Sequence, residues 1–270
     1  MKIKKNKSNF IKICKNVRLK VLEMLYRAGS GHAGPSMSIV EACVYLYLFQ
    51  IRYKKNKRLD KFILSKGHAA PALYAVLHEL GLSKKNINTF RKINSPYQGH
   101  PDLNYLPEVD FSSGALGQGL SIACGFSLAS KLSKMNINIY CILGDGELQE
   151  GQIWESAMFI GSKKLKNICT IIDENKFQNE LSTSETLDLG NIKEKFKSFG
   201  FKTIEINGHD YSQLKKAFNY FSKNKKNKPI CIILRTIKGK GISFMENKGE
   251  WHSKVIDQKH YQKAKKELLK

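Results

Sequence analysis

Apolar residues recur along this chain in two alternating rhythms. Short runs that are almost wholly apolar and rich in β-branched side chains fall at 61–64, 137–143, 167–172, 201–206 and 229–234, and each reads as a strand. Between them, apolar residues return at i, i+3 and i+4 over 10–27, 39–49, 69–80, 117–132, 153–160 and 211–221, the spacing of helices with one buried face. Residues 258–270 read as a charged terminal helix. Strands that alternate with helices and are apolar on both faces predict an α/β fold, a parallel sheet flanked by helices on both faces. Ligands of such sheets collect at the carboxyl ends of the strands. No internal repeat and no Pro/Gly/Ser linker interrupts the pattern, so one domain spanning residues 1–270 is expected. Lys/Asn tracts at 53–58 and 223–228 read as solvated loops.

Composition narrows this picture. With 270 residues, 41% of them hydrophobic, the chain can bury one large core. Cys14, Cys43, Cys124, Cys141, Cys169 and Cys231 lie mostly inside apolar runs with no CxxC pair, which predicts buried free thiols. The basic start, MKIKKNKSNFIKICKNVRLK, lacks the apolar stretch of a signal peptide, and no 18-residue apolar run occurs. A soluble, cytoplasmic protein with no membrane partner is expected.

The net charge of +23 is of the size seen in nucleic-acid-binding surfaces. Arginine is confined to positions 18, 27, 52, 58, 91 and 235, however, and the many lysines sit in asparagine-rich stretches. That pattern fits codon drift in an AT-rich genome better than a phosphate- and base-reading surface, which would enrich arginine. No nucleic-acid partner is expected, although so cationic a surface suits phosphorylated substrates or an acidic partner subunit.

The most informative stretch is ILGDGELQEGQIWESAMFIGSKKLKNICTIIDENKFQ, residues 142–178: a strand, a glycine-flanked acid, a helix and a second strand. Gly144 and Gly146 permit a tight turn and a close approach of backbone to ligand, with the Asp145 carboxylate exposed at the sheet edge. Asn175 follows thirty residues later, the length of one βαβ unit, which brings it beside Asp145 at a neighbouring strand end. A carboxylate, an amide oxygen and a loop carbonyl are hard oxygen donors suited to Mg²⁺ or Ca²⁺. A glycine-flanked acid alone also suits an ordinary turn.

The GDG motif with its following Asn resembles the diphosphate-binding signature of thiamine-diphosphate enzymes. Ser30-Gly31-His32-Ala33-Gly34, Ser65-Lys66-Gly67-His68-Ala69, Gly99-His100-Pro101, Gly114-Ala115-Leu116-Gly117-Gln118-Gly119 and Glu250-Trp251-His252 stand in the order and spacing of transketolases. The resemblance covers about residues 10–255, with Ala33 where the family commonly has proline. It implies thiamine diphosphate as cofactor, with Mg²⁺ (or Ca²⁺) held by Asp145, Asn175 and the carbonyl of Phe177. His68 and His252 would lie near the diphosphate. His32, His100 and His252 would face the reacting carbons and hydroxyls as catalytic groups, and Gly114, Ala115 and Leu116 would contact the aminopyrimidine. Gly144 and Gly146 would line the diphosphate site. Glu150 would join a carboxylate network that reaches across a subunit interface, its other reading being a helix-surface charge. Gly208-His209-Asp210 resembles a family element but suits loop stabilisation, and no catalytic role is assigned to it.

The resemblance also implies transfer of a two-carbon ketol unit from a ketose phosphate to an aldose phosphate, as in the pentose phosphate pathway. The pyrimidine-binding domain of the family, with its activating glutamate and phosphate-gripping arginines, has no counterpart in these residues. A separate C-terminal transketolase subunit is therefore expected as partner, in an α2β2 assembly. Alternatives are a subunit of another thiamine-diphosphate enzyme, deoxyxylulose-phosphate synthase-like or 2-oxo-acid dehydrogenase α-like, and a non-catalytic remnant of the fold.

Overall fold

The computed structural model describes residues 4–54, 57–223 and 228–270. Five strands form its sheet: β1 (Lys61–Leu64), β2 (Ile139–Gly144), β3 (Ile168–Glu174), β4 (Lys202–Asn207) and β5 (Ile230–Arg235). All pairings are parallel, in the order β1-β2-β3-β5-β4. The predicted strands are thus all present, shifted by one or two residues toward the C-terminus at β2 to β5. The shift matters because it carries the strands up to Gly144, Glu174 and Arg235, the edge where the site lies.

The ten α-helices are α1 (Lys7–Ala28), α2 (Ala33–Ser38), α3 (Val40–Tyr45), α4 (Ala70–Glu79), α5 (Gln118–Leu132), α6 (Gly151–Lys163), α7 (Thr183–Leu187), α8 (Ile192–Ser198), α9 (Tyr211–Lys223) and α10 (Gln258–Leu269), counted among the described residues. Side chains alternate across the sheet and split the core in two. Phe62, Leu64, Tyr140, Ile142, Cys169, Ile171, Ile230 and Ile232 pack with α1 to α4, α9 and α10. Their neighbours Ile63, Cys141, Leu143, Ile168, Ile172, Cys231 and Ile233 pack with α5, α6 and α8. A sheet covered on both faces leaves its carboxyl edge as the place where polar groups converge.

Two local expectations are corrected. The helix predicted over 39–49 is α3 followed by a π-helical turn, Leu46–Gln50, and α2 precedes it, with Ile39 at φ −101° and ψ 5° separating α2 from α3. Within α2, Ser36 Oγ donates to the His32 carbonyl at 2.6 Å and Ser38 Oγ to that of Pro35 at 3.0 Å, each hydroxyl bonding back to the preceding turn. In the 53–58 tract, Tyr53–Lys54 pairs antiparallel with Lys57–Arg58 rather than forming a loop, with residues 55–56 outside the described set. In the 223–228 tract, residues 224–227 lie outside it as well. All six cysteines are buried and free. Among the described residues no helix is long and apolar enough to cross a membrane.

Candidate active site

Register builds the site. Gly144 pairs with Asp173, so the chain leaving β2 and the chain leaving β3 turn out of the sheet side by side. Asp145 follows at once, buried, its carboxylate accepting from the amides of Gly146 at 2.9 Å and Lys176 at 2.5 Å. Burial and the negative charge of Asp173 outweigh those two amides and push the Asp145 carboxyl up to about 7. Asn175 is also buried; its Nδ2 donates to Asp173 at 3.0 Å and its Oδ1 accepts from the Phe177 amide at 3.0 Å. Asp145 and Asn175 thus meet at adjacent strand ends, beside Phe177.

Beneath them lies a buried charge pair that sequence reasoning missed. Lys66 Nζ donates to Asp173 Oδ2 at 2.5 Å and to the Pro35 carbonyl at 3.3 Å. Ser38 at 2.7 Å and Thr236 donate to the same carboxylate. Burial opposes the charge on Asp173, but Lys66 and these donors outweigh it and hold the carboxyl below its ordinary value. A second buried lysine, Lys238, donates to the Asn179 carbonyl at 2.5 Å, the Gly249 carbonyl at 3.4 Å and His252 Nδ1 at 3.4 Å. Burial and the Lys66 charge lower it to about 8. Lys66 stands in the Ser65-Lys66-Gly67-His68-Ala69 motif and Lys238 opens the run Lys238-Gly239-Lys240-Gly241, yet in so lysine-rich a chain nothing in the composition marks either.

These groups wall a cavity of about 240 Å³, which His32, His68, His252, Gly114, Leu116, Gly144, Gly146, Asn175 and Phe177 also line. The His32 ring lies 5.3 Å from that of His68 and 5.2 Å from that of His252, and His68 and His252 are 5.3 Å apart, between centroids. His100 is 6.4 Å from His32 but lines the adjoining groove with Gly99 and Ala115, Gly114 bordering both spaces. Burial and the charge of Arg91 push His32 down to about 4, and burial and Lys238 push His252 down to about 3. His68 falls well below its ordinary value through burial and Lys66, and His100 falls through burial and Arg91. All four imidazoles are neutral near pH 7, each able to donate one hydrogen bond and accept another.

The loop carrying Gly114 to Leu116 is tied down by Glu147, a buried carboxylate just past the GDG turn. Glu147 accepts from Ser65 Oγ at 2.5 Å, the Gly117 amide at 2.9 Å and the Gly144 amide at 3.0 Å. Gly117, at φ 83°, takes a left-handed conformation that suits glycine, and a Cβ there would come 2.9 Å from that of Glu150. Glu150 itself is exposed at the start of α6 and does not line the cavity. His209 is occupied elsewhere: its Nδ1 faces Glu41 Oε2 at 2.9 Å and its Nε2 accepts from the Ile237 amide at 2.9 Å, which locks the turn after β4. Among the described residues no group of three or more His, Cys, Asp or Glu side chains is placed to hold a metal. The one-carboxylate set of Asp145, Asn175 and a backbone carbonyl is a different kind of site.

A parallel sheet that gathers a buried acid, an amide, two lysines and neutral imidazoles at its carboxyl edge defines a cofactor-binding α/β domain of an enzyme. The chain belongs to the transketolase family: the family model described as transketolase, thiamine diphosphate binding domain, matches residues 10–269. It is 35% identical to an apulose-4-phosphate transketolase subunit of Phocaeicola vulgatus, over 93% of this chain and 90% of that one. It is 36% identical to a 6-deoxy-6-sulfo-D-fructose transketolase subunit of a Clostridium species, over 94% of each chain. The mouse transketolase is 37% identical, but the match spans 89% of this chain and only 39% of that protein. The crystal structure of transketolase from Campylobacter jejuni superposes with a TM-score of 0.89 at 30% identity, over 97% of this chain and 43% of the other. The chain thus spans about two fifths of the long transketolases and nearly all of those named as subunits.

Proposed function

We propose that this chain binds thiamine diphosphate with Mg²⁺ and forms one half of a transketolase, the other half being a separate chain with the pyrimidine-binding domain. The meeting of Asp145 and Asn175 over the cavity carries this reading. Asp145, the Asn175 amide oxygen and the Phe177 carbonyl are hard donors of the kind Mg²⁺ takes from protein before completing its shell with phosphate oxygens; Ca²⁺ accepts the same set. Gln178 Oε1, at the wall, is buried without a partner, a polar atom whose desolvation a bound ligand would offset. Lys238, which lines the cavity, supplies positive charge toward an anionic diphosphate, while the charge of Lys66 is paired with Asp173.

When bound, thiamine diphosphate supplies an electron sink for breaking and making a carbon–carbon bond beside a carbonyl. The chain's own groups hold and orient. His68 and His252 stand near the diphosphate, while His32, His100 and His252 take the hydroxyls and reacting carbons of a sugar. Lys238 can only donate, so its contact at 3.4 Å makes His252 Nδ1 an acceptor and leaves the ring proton on Nε2. The backbone of Gly114, Ala115 and Leu116 offers contacts to the aminopyrimidine, and exposed Glu150 offers its carboxylate across a subunit interface. An α2β2 assembly follows from pairing two such chains with two partners.

The reaction is transfer of a two-carbon ketol unit from a ketose phosphate to an aldose phosphate, as in the pentose phosphate pathway. The names of the two subunit relatives favour a second reading of the donor, a modified sugar bearing phosphate or sulfonate. The test is calorimetric titration of the chain with thiamine diphosphate and Mg²⁺, with and without the chain encoded beside it, followed by transfer assays over a sugar panel and pyruvate. Binding in the mixture with sugar-dependent transfer is expected. No binding in either sample overturns the reading, and transfer at a normal rate by this chain alone overturns the two-chain arrangement.

A further inference from the structure

Arg91 lies outside every motif above and outside the cavity, yet its side chain lies beside both loops that present His32 and His100. Its backbone is left-handed, φ 60°, and its amide donates to the Tyr97 carbonyl at 2.9 Å, which turns the chain back on itself ahead of Gly99. The side chain then lies flat against Gly99: a Cβ built there would sit 3.2, 3.3 and 3.4 Å from Arg91 Nε, Nη2 and Cζ. The far end of the guanidinium reaches Gly31, where a Cβ would sit 3.7 Å from Nη1. Each glycine directly precedes a histidine of the site; at Gly99 the guanidinium is the nearest neighbour of such a Cβ, while at Gly31 Leu25 Cδ2 at 2.4 Å and Phe90 Cε1 at 3.3 Å lie closer than Nη1.

We propose that Arg91 is a positioning residue, a planar cation clamped between the Gly31-His32 and Gly99-His100 loops that sets their spacing and holds a fixed positive charge behind both imidazoles. The idea deepens the sugar-handling role given above to His32 and His100, and it rests on that role only for its consequence in catalysis. Arginine suits the post because its guanidinium is flat, rigid and permanently charged. A permanent cation disfavours a second positive charge nearby, so it keeps both rings neutral and able to accept as well as donate. His32 is also faced by His68, His100, His252, Lys66 and Lys238, and His100 by His32 and by Asp102 of the adjoining groove. Arg91 is the cation whose charge bears on both His32 and His100.

The experiment is a charge series at this position, Arg91→Lys, Arg91→Gln and Arg91→Glu, read by nuclear magnetic resonance of histidine-labelled full chain between pH 4.5 and 8. His32→Asn and His100→Asn assign the two ring signals. Their titration midpoints are expected to stay low in Arg91→Lys, to rise by roughly half a pH unit or more in Arg91→Gln, and to rise further in Arg91→Glu, the scale of one partly screened charge at a few ångströms. Midpoints that ignore the sign of the charge, or that move alike in all variants, overturn the proposal and leave Arg91 a packing residue. The readout needs neither cofactor nor partner chain, so its failure is distinguishable from failure of the transketolase reading. Should Arg91→Glu fail to fold, the Lys and Gln variants alone decide, since both keep a long side chain and they differ in charge.

Discussion

Lys66 and Asp173 form a 2.5 Å ion pair with almost no solvent exposure, and the same carboxylate accepts from Asn175 at 3.0 Å. The pair therefore links the strand that carries SKGHA to the strand end that carries the candidate metal site. Removing one member strands a buried charge, which costs about 3–5 kcal/mol. Asp173→Asn is expected to lose that much in denaturant unfolding and to bind thiamine diphosphate with Mg²⁺ roughly 10–100-fold more weakly, the usual effect of losing the partner of a ligand. Lys66→Met combined with Asp173→Leu should recover part of the stability and none of the binding. Equal stability of Asp173→Asn and wild type would show the pair to be dispensable.

Asp145→Ala is expected to abolish the Mg²⁺ dependence of cofactor binding while leaving the far-ultraviolet circular dichroism unchanged. Its carboxylate caps two local amides but carries no core packing, so folding should survive. Titration calorimetry at several Mg²⁺ concentrations reads the loss directly, and an affinity that still rises with Mg²⁺ would move the metal elsewhere.

His100→Ala should separate chemistry from binding. The ring faces the groove beside the cavity rather than the cavity itself. In the proposed two-chain enzyme kcat is expected to fall by roughly 10²–10⁴, the range for loss of a group that handles protons in a reaction. Cofactor affinity should stay within about twofold. A collapse of cofactor binding with no separate effect on turnover would place His100 with the diphosphate instead.

Acid stability should turn on Glu41. It is buried against Arg18 at 2.8 Å and faces His209 Nδ1 at 2.9 Å. Burial opposes its charge, but Arg18 and His209 outweigh it and hold the carboxyl down to about 2 in the folded chain. A carboxyl whose folded value lies below its unfolded value near 4.5 adds stability that is fully present above that pH and is lost as pH falls toward 2. The amount is on the order of 3 kcal/mol. Glu41→Gln should be less stable at pH 7 and flatter between pH 4.5 and 2 than wild type, as judged from denaturant midpoints at several pH values. Parallel curves for the two proteins would exclude this pair as the acid-sensitive element.

The layered sheet was legible because its strands are apolar on both faces, a pattern few other structures require, and Lys61–Leu64 lies where the pattern alone puts it. Strand ends were less so. The polar residues Gly144, Asp173 and Glu174 continue the ladder after the apolar run stops, because register with a neighbour and not hydrophobicity keeps them extended. The histidines and Asp145 stood out through glycine contexts. Lys66, Lys238 and Glu147 did not, since a buried charge is recognised by its partners, and Asp173, Asn179 and Gly117 are far from them in sequence. The α2 helix was hidden by Gly34 and Pro35, whose propensities favour a turn until tertiary packing overrides them.

The alternation that divides the core also decides how this molecule ages. Every thiol sits inside a layer, and burial pushes those of Cys14, Cys43, Cys124, Cys141, Cys169 and Cys231 up, away from the reactive thiolate. Met135 and Met158, by contrast, are 54% and 57% exposed. Peroxide meets thioethers first, and what it leaves there are sulfoxides that reductases can reverse rather than cross-links between chains. Chemical wear therefore begins at Met158 on α6 and at Met135 in the segment after α5.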